Sequence, residues 1–144
     1  MVSASRIAET LGGYRVMKRR VRSADGLRTR VRTGLPYSAL EALAGRLGAS
    51  RGEMADVLGV PARTLARRRA AGRFTAGESD RLVRLGRIAA LAEQVLGSRD
   101  KAVRWLHHAN RALGQRVPVR ELDTDLGARE VEAVLLRIEH GVYS

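Results

Sequence analysis

An all-α protein, with a helix-turn-helix in its first half and a second helical domain after it, is what the sequence predicts. Three observations carry that expectation. No stretch rich in Val, Ile and Thr alternates apolar with polar residues as a half-buried strand would. Glycines fall mostly where an apolar helical periodicity stops, the place that calls for a left-handed residue. Two boxes of the form Ser/Thr-x-x-Glu, Ser50-Arg51-Gly52-Glu53 and Thr75-Ala76-Gly77-Glu78, each open an apolar-periodic run.

Taken in order, residues 1–22 carry Gly12-Gly13 and the basic run Lys18-Arg19-Arg20-Val21-Arg22 and read as an arm. Ser23 is placed to cap a short helix with Leu27, Val31 and Leu35 on its apolar stripe and Arg28, Arg30 and Arg32 on its exposed face. The Asp25-Gly26 pair also permits a hairpin, and the helix is preferred. Gly34 stops it. Pro36 opens a helix over 37–47 with Leu40, Leu43, Ala44 and Leu47 on one face. Ser50 starts another through Leu58, ended by Gly59; Pro61 begins a third, closed by Gly72. Thr75 starts a long helix to Leu96 whose broad apolar arc (Leu82, Leu85, Ala89, Ala92, flanked by Ile88, Leu91 and Val95) requires burial on two sides. Arg81 and Arg84 near its start are expected to pair with acids on neighbouring helices. Ser98 caps residues 99–108, a single turn follows at 118–122, and Thr124 or Asp125 caps a last helix over 127–139, broken by Gly141. This divides the chain into 1–33, a basic N-terminal arm or short helix; 34–77, a helix-turn-helix domain; and 78–144.

The 144 residues hold 27 Lys+Arg against 15 Asp+Glu, a formal net charge of +12. The excess is uneven: +7 over 1–35, +4 over 36–77 and +1 over 78–144. A basic first half implies a polyanionic partner there and a different task for the near-neutral remainder. Aromatic content of 3% excludes a base-stacking platform for single strands. With no cysteine, disulfides, thiolate metal sites and Cys nucleophiles are excluded. No apolar run reaches the roughly 18 residues needed to span a bilayer, and no hydrophobic leader is visible, so a cytoplasmic protein is expected.

The run from Met54 to Leu65 carries the first motif. A helix-turn-helix needs a small residue where its helices cross, a Gly four residues later for the turn, and apolar residues on either side of it. Ala55, Gly59, Val60 and Leu65 occupy those places. With Leu65 facing the core, a 100° step per residue sends Arg63, Thr64 and Arg67 outward, with Arg68 at the flank. These are expected to reach base edges and phosphates in a major groove. Arg51, Arg69, Arg73 and the basic N-terminal residues then lie near the backbone. Between Asp56 and Glu78 there is no acid, which a solvated helix face would ordinarily contain.

Beyond this point the sequence resembles a known family. Arg63-Thr64-Leu65-x-Arg67-Arg68 followed by Glu78-Ser79-Asp80-Arg81-Leu82-x-Arg84-Leu85 is similar to the helix-turn-helix exit of the Xre/MbcA/ParS antitoxins. The likeness continues through Ala102-x-x-Trp105-Leu106, Asn110-Arg111-Ala112-Leu113-Gly114 and Pro118. It ends with Asp123-Thr124-Asp125-x-Gly127-Ala128-x-x-Val131 and Arg137-Ile138-x-His140-Gly141-Val142-Tyr143. It covers about residues 34–144, departing at Ala109, where the family usually has Pro, and at Glu121, where it often has Leu. The resemblance implies an Xre/Cro-like helix-turn-helix that binds operator DNA and represses its own operon. It implies a C-terminal helical domain, 78–144, that dimerises and binds a RES-domain toxin, whose activity in this family is NAD⁺ degradation. It also implies that the antitoxin's C-terminal end covers the toxin's cleft.

The last helix is compatible with that reading. Val131, Val134, Leu135 and Ile138 form a core stripe, and Ala133, Leu136 and His140 form a second, roughly opposite. Together with Arg137, Gly141, Val142, Tyr143 and Ser144 these are the expected toxin-binding residues. Tyr143, the Ser144 hydroxyl and a terminal carboxylate are expected to plug the toxin's nucleotide cleft, the carboxylate at a phosphate position. A free-standing helix-turn-helix regulator whose second half only dimerises is the alternative.

No catalytic set is expected. His107 and His108 point about 100° apart and have no acid at helical spacing to complete a metal site. Gly12-Gly13 lacks the strand–loop–helix context of a phosphate cradle. Asp123 and Asp125 suit helix capping, Ser144 has no evident base, and Trp105 suits a core anchor. No cofactor or metal is implied, and the chain is not expected to be an enzyme.

Overall fold

A computed structural model describes residues 2–141. Among them there are nine α-helices and no strand: α1 (Ala4–Thr10), α2 (Gly13–Met17), α3 (Ala24–Thr33), α4 (Ser38–Leu47), α5 (Arg51–Leu58), α6 (Ala62–Ala71), α7 (Ala76–Leu96), α8 (Arg99–Leu106) and α9 (Asp125–Glu139). Two 3-10 turns, Arg111–Leu113 and Pro118–Asp123, join α8 to α9.

The caps read from the sequence are in place. Ser50 and Thr75 each accept from the backbone three residues on, and Glu53 and Glu78 return the bond. Ser23, Ser98 and Thr124 cap α3, α8 and α9. Asp25-Gly26 lies in the first turn of α3, so the hairpin alternative is not taken. Pro61 stands just before α6, where its fixed φ feeds the first turn.

The 21-residue α7, about 31 Å long, is the axis of the molecule. Leu82, Leu85, Ile88, Ala89, Leu91 and Ala92 are buried along it, and α1, α3, α4, α8 and α9 all pack against it. A single cluster of buried apolar side chains runs from Ile7 through Met54 and Leu82 to Leu135, so both halves of the chain share one core. Trp105 is half-buried at its edge.

Residues 4–17 depart from the expected arm. They form two short helices that bury Ile7, Ala8, Leu11 and Met17. The reason is a close crossing of α1 and α7 at Gly86. The Thr10 hydroxyl lies 3.3 Å from the Gly86 carbonyl oxygen, and a Cβ on Gly86 would stand 2.7 Å from that hydroxyl. Seven residues cannot hold a helix alone; docking onto α7 does so here.

Polar ties reinforce the packing. Arg46 pairs with Glu93 at 2.6 Å between α4 and α7, and Arg87 pairs with Glu132 at 2.8 Å between α7 and α9. Arg84 approaches Asp125 at 3.9 Å, as expected of it. Arg81 departs from that expectation: it donates to the Leu58 carbonyl at 2.9 Å. Carbonyls in the last turn of a helix lack intrahelical donors, which makes the end of α5 a ready acceptor for a cation.

Candidate nucleic-acid and partner interfaces

The α5–α6 pair is built from its turn outward. Met54, Ala55, Val57 and Leu58 seat α5 on the core, and Leu65 seats α6. Gly59 joins them at φ 70°. A Cβ there would meet nothing within 4 Å, so the turn's backbone conformation, not space, favours glycine. The bond from Val60 N–H to the Ala55 carbonyl, 3.1 Å, closes the turn.

Arg63, Arg67 and Arg69 are exposed on α6, and Arg51 is exposed at the start of α5. Arg63 and Arg67 lie opposite the core-facing Leu65. Arg51 and Arg69 share a shallow surface recess with Tyr37, Ala62, Ala66 and Ala70. These four cations project from one helix pair.

Three of the residues expected to contact DNA have partners within the protein. Thr64 is buried, not outward. It lies only one residue from Leu65, and its hydroxyl accepts from Arg67 Nη2 at 3.1 Å, so it positions Arg67. Arg68 is half-buried and pairs through Nε with Glu78 at 2.7 Å. Arg73 donates through Nη1 to the carbonyls of Thr33 and Gly34, tying the α6–α7 connection to the end of α3. Arg68 and Arg73 thus brace the frame that presents α6.

Burial pushes the Glu78 carboxyl up, but the bond from Arg68 and the capping bonds from Thr75 outweigh it and hold the group below its ordinary 4.5. The bond to Glu78 in turn raises the Arg68 guanidinium. A depressed carboxylate contributes stability that is present above its unfolded value and is lost as pH falls through the folded one. Glu78→Gln is therefore expected to flatten the decline in denaturation midpoint below about pH 4.5, measured by urea unfolding across pH. An unchanged acid limb would remove Glu78 from the cause.

On α9, Val131, Val134 and Leu135 face the core, and Ile138 is half-buried. Ala133, Arg137, His140 and Gly141 are exposed. Leu136 is less open than the other residues of the expected second stripe. It is half-buried and lines a groove of about 610 Å³ between α7 and α9, beside Val83, Arg84, Leu91, Arg129 and Glu132. It lies about 100° from the core-facing Leu135, near enough to turn toward α7. Leu126, 76% exposed, stands at the start of the same helix. The expected contacts at Val142, Tyr143 and Ser144 lie outside the described residues.

His107 donates from Nε2 to the Leu47 carbonyl at 2.8 Å, and His108 from Nδ1 to the Arg104 carbonyl at 2.6 Å. Among the described residues no group of three or more His, Cys, Asp or Glu could hold a metal ion, and no helix is long and apolar enough to cross a membrane.

The fold and these surfaces define a helix-turn-helix protein whose exit helix also carries a C-terminal helical unit. Residues 26–87 match the antitoxin Xre-like helix-turn-helix domain, and residues 91–141 match the antitoxin Xre/MbcA/ParS C-terminal toxin-binding domain. Antitoxin Xre of Photorhabdus laumondii is 34% identical over 113 residues, 77% of this chain and 76% of that one. Antitoxin Xre of Yersinia enterocolitica is 40% identical over 96 residues, 65% of each chain, so this chain spans just under two thirds of that relative. A chain of the solved M. tuberculosis MbcT–MbcA toxin–antitoxin complex superposes with a TM-score of 0.57 at 28% identity, covering 75% of this chain and 96% of that one. The chain belongs to the Xre antitoxin family.

Proposed function

We propose that the protein is the antitoxin of a type II toxin–antitoxin pair with two tasks divided along the chain. Residues 34–77, with the basic 1–33 segment beside them, bind operator DNA and repress the operon. Residues 78–144 dimerise and neutralise a RES-type, NAD-degrading toxin in the cytoplasm. The observation that carries the DNA half is the exposed Arg63–Arg67 face of α6 on an acid-free helix. Arg51 and Arg69 contact backbone phosphates beside it, and Thr64, Arg68 and Arg73 hold the helix in its presenting pose.

The toxin half is supported by the match over 91–141 to a toxin-binding domain and by the likeness to a chain of a toxin–antitoxin complex. Ala133, Leu136, Arg137, His140 and Gly141 form the docking face, and Val142, Tyr143 and Ser144 cover the toxin's active site. Co-expression with the product of the adjacent reading frame is expected to yield a stable complex with blocked NAD⁺ hydrolysis. Absence of any complex would favour a free-standing regulator. A variant lacking residues 142–144 is expected to keep the complex but release most of the toxin's activity; full neutralisation by that variant would place the blocking contacts elsewhere.

A further inference from the structure

A recess of about 380 Å³ opens where the basic run 18–22 folds back beside α1 and α2. Glu9, Tyr14, Arg19, Arg20 and Arg22 line it together. The basic run is a fixed wall. Lys18 turns the chain at φ 60°, a left-handed conformation that a residue with a Cβ rarely adopts. Val21 is then buried, and the Ser5 hydroxyl donates to its carbonyl at 3.1 Å. Gly13 lets the acid come close. A Cβ there would stand 3.0 Å from Glu9 Oε1, so the carboxylate lies against the backbone one residue before Tyr14.

The groups around this recess are unpartnered. Among the described residues, the side chains of Glu9, Tyr14, Arg19, Arg20 and Arg22 make no hydrogen bond or ion pair with another residue. In the groove between α7 and α9, by contrast, Arg84 and Arg87 face Asp125 and Glu132. Tyr14 is 63% exposed, and among the described residues only Leu126 is a large apolar side chain as open.

We propose that the recess binds a free ribonucleotide, with the base stacked on Tyr14, the phosphates on Arg19, Arg20 and Arg22, and the sugar hydroxyls donating to Glu9. The mixture of groups selects this occupant. An inorganic anion would use the arginines and leave the ring idle. A duplex offers phosphates outside and stacked bases inside, so it too would leave the ring idle and would meet Glu9 with like charge. An acidic peptide meets Glu9 in the same way. A single strand calls for successive rings, and here there is one. A nucleotide matches every group: a π-face for the ring, phosphate oxygens for charge-assisted bonds from guanidinium, and hydroxyl donors for the carboxylate. The volume lies near the lower end of small-molecule sites and is too small for a helix of another protein. The site is built on elements that precede the helix-turn-helix and does not rest on the DNA reading.

The test is calorimetric titration of the full chain with ADP. Saturable binding at one site per chain is expected, and Tyr14→Ala and Arg20→Gln should each weaken it roughly tenfold. Tyr14→Phe keeps most of the affinity, because the ring and not the hydroxyl carries the stacking. Wild type should bind 2′-deoxy-ADP several-fold more weakly than ADP, and Glu9→Ala should close that gap. All the substituted side chains are exposed, so folding is not at stake. Wild-type protein that shows no saturable ADP binding would overturn the site. ADP binding left unchanged by Tyr14→Ala and Arg20→Gln would place the nucleotide elsewhere and overturn it as well. Inorganic pyrophosphate that binds as tightly as ADP would reduce the recess to an anion site and overturn the nucleotide assignment. An oligoribonucleotide that binds more tightly than ADP, and loses that binding in Tyr14→Ala, would make a strand the occupant and overturn the free nucleotide.

Discussion

Replacing Arg63 and Arg67 together by Ala is expected to weaken operator binding by two orders of magnitude or more and to erase most of the preference over a scrambled duplex. Both side chains are exposed on the face of α6 opposite Leu65. A good bidentate contact from Arg to a base edge discriminates by about 1–3 kcal/mol, and each 1.4 kcal/mol is tenfold. Arg67 starts with an advantage: Thr64 already holds its guanidinium, so less side-chain freedom is lost on binding. Thr64→Val, which removes that acceptor while keeping the shape, should cost a smaller, several-fold loss. Arg68→Ala makes the contrast. Its partner is Glu78 inside the protein, so it should lower the unfolding midpoint and leave the operator-to-scrambled ratio nearly intact. Fluorescence anisotropy on the two duplexes at fixed salt separates these outcomes. A double variant that keeps its operator preference would move base recognition away from α6.

Gly86→Leu is expected to destabilise the fold by about 2–3 kcal/mol, through overpacking of a close helix crossing. Two effects compete. Glycine inside a helix costs about 1 kcal/mol relative to Ala, so any side chain there gains intrinsic helix propensity. Against this, a Cβ meets the Thr10 hydroxyl at 2.7 Å and the Ile7 and Leu11 side chains at 3.5 Å, and Leu adds three more carbons to the same space. The steric term is larger, so α1 lifts from α7. Urea unfolding should show a lower midpoint. Adding Thr10→Ala to Gly86→Ala removes the nearest clashing atom and should recover stability that Gly86→Ala alone loses. If Gly86→Leu unfolds like the wild type, α1 does not dock at this crossing.

Much of the fold was legible because its signals are local. The boxes at Ser50 and Thr75, the caps at Ser23, Ser98 and Thr124, and the helix-ending glycines Gly59, Gly72 and Gly97 act within four residues of themselves. What local pattern could not give is a helix that exists only through a distant partner. Residues 4–17 are too short and too glycine-rich to read as structure, and Gly86, which admits them, is 76 residues beyond Thr10. The candidate sites divide in the same way. A rotation of 100° per residue orients Arg63 and Arg67 correctly, but it does not foresee that Arg67 folds over Thr64. Nor does it foresee that Arg68 finds an acid ten residues on, across the turn into α7, or that Arg81 finds a carbonyl on α5. An arginine's partner depends on which acceptor the tertiary fold brings within reach, and composition is silent on that.

Because α7 is shared, recombination between relatives is constrained. A crossover inside 76–96 would join one parent's Leu82 and Leu85 to the other's Ile88 and Leu91, and would set an inherited α1 against an unfamiliar crossing at Gly86. A swap at residue 77 would part Glu78 from Arg68 and Arg81 from the Leu58 carbonyl. Chimeras should tolerate a seam best beyond Gly97, where the glycine is exposed and the long helix has ended. Even there, the new α9 must bring its own match for Arg84 and Arg87. Descent is therefore expected to carry α1–α7 as one block, with specificity for the partner drifting behind that seam.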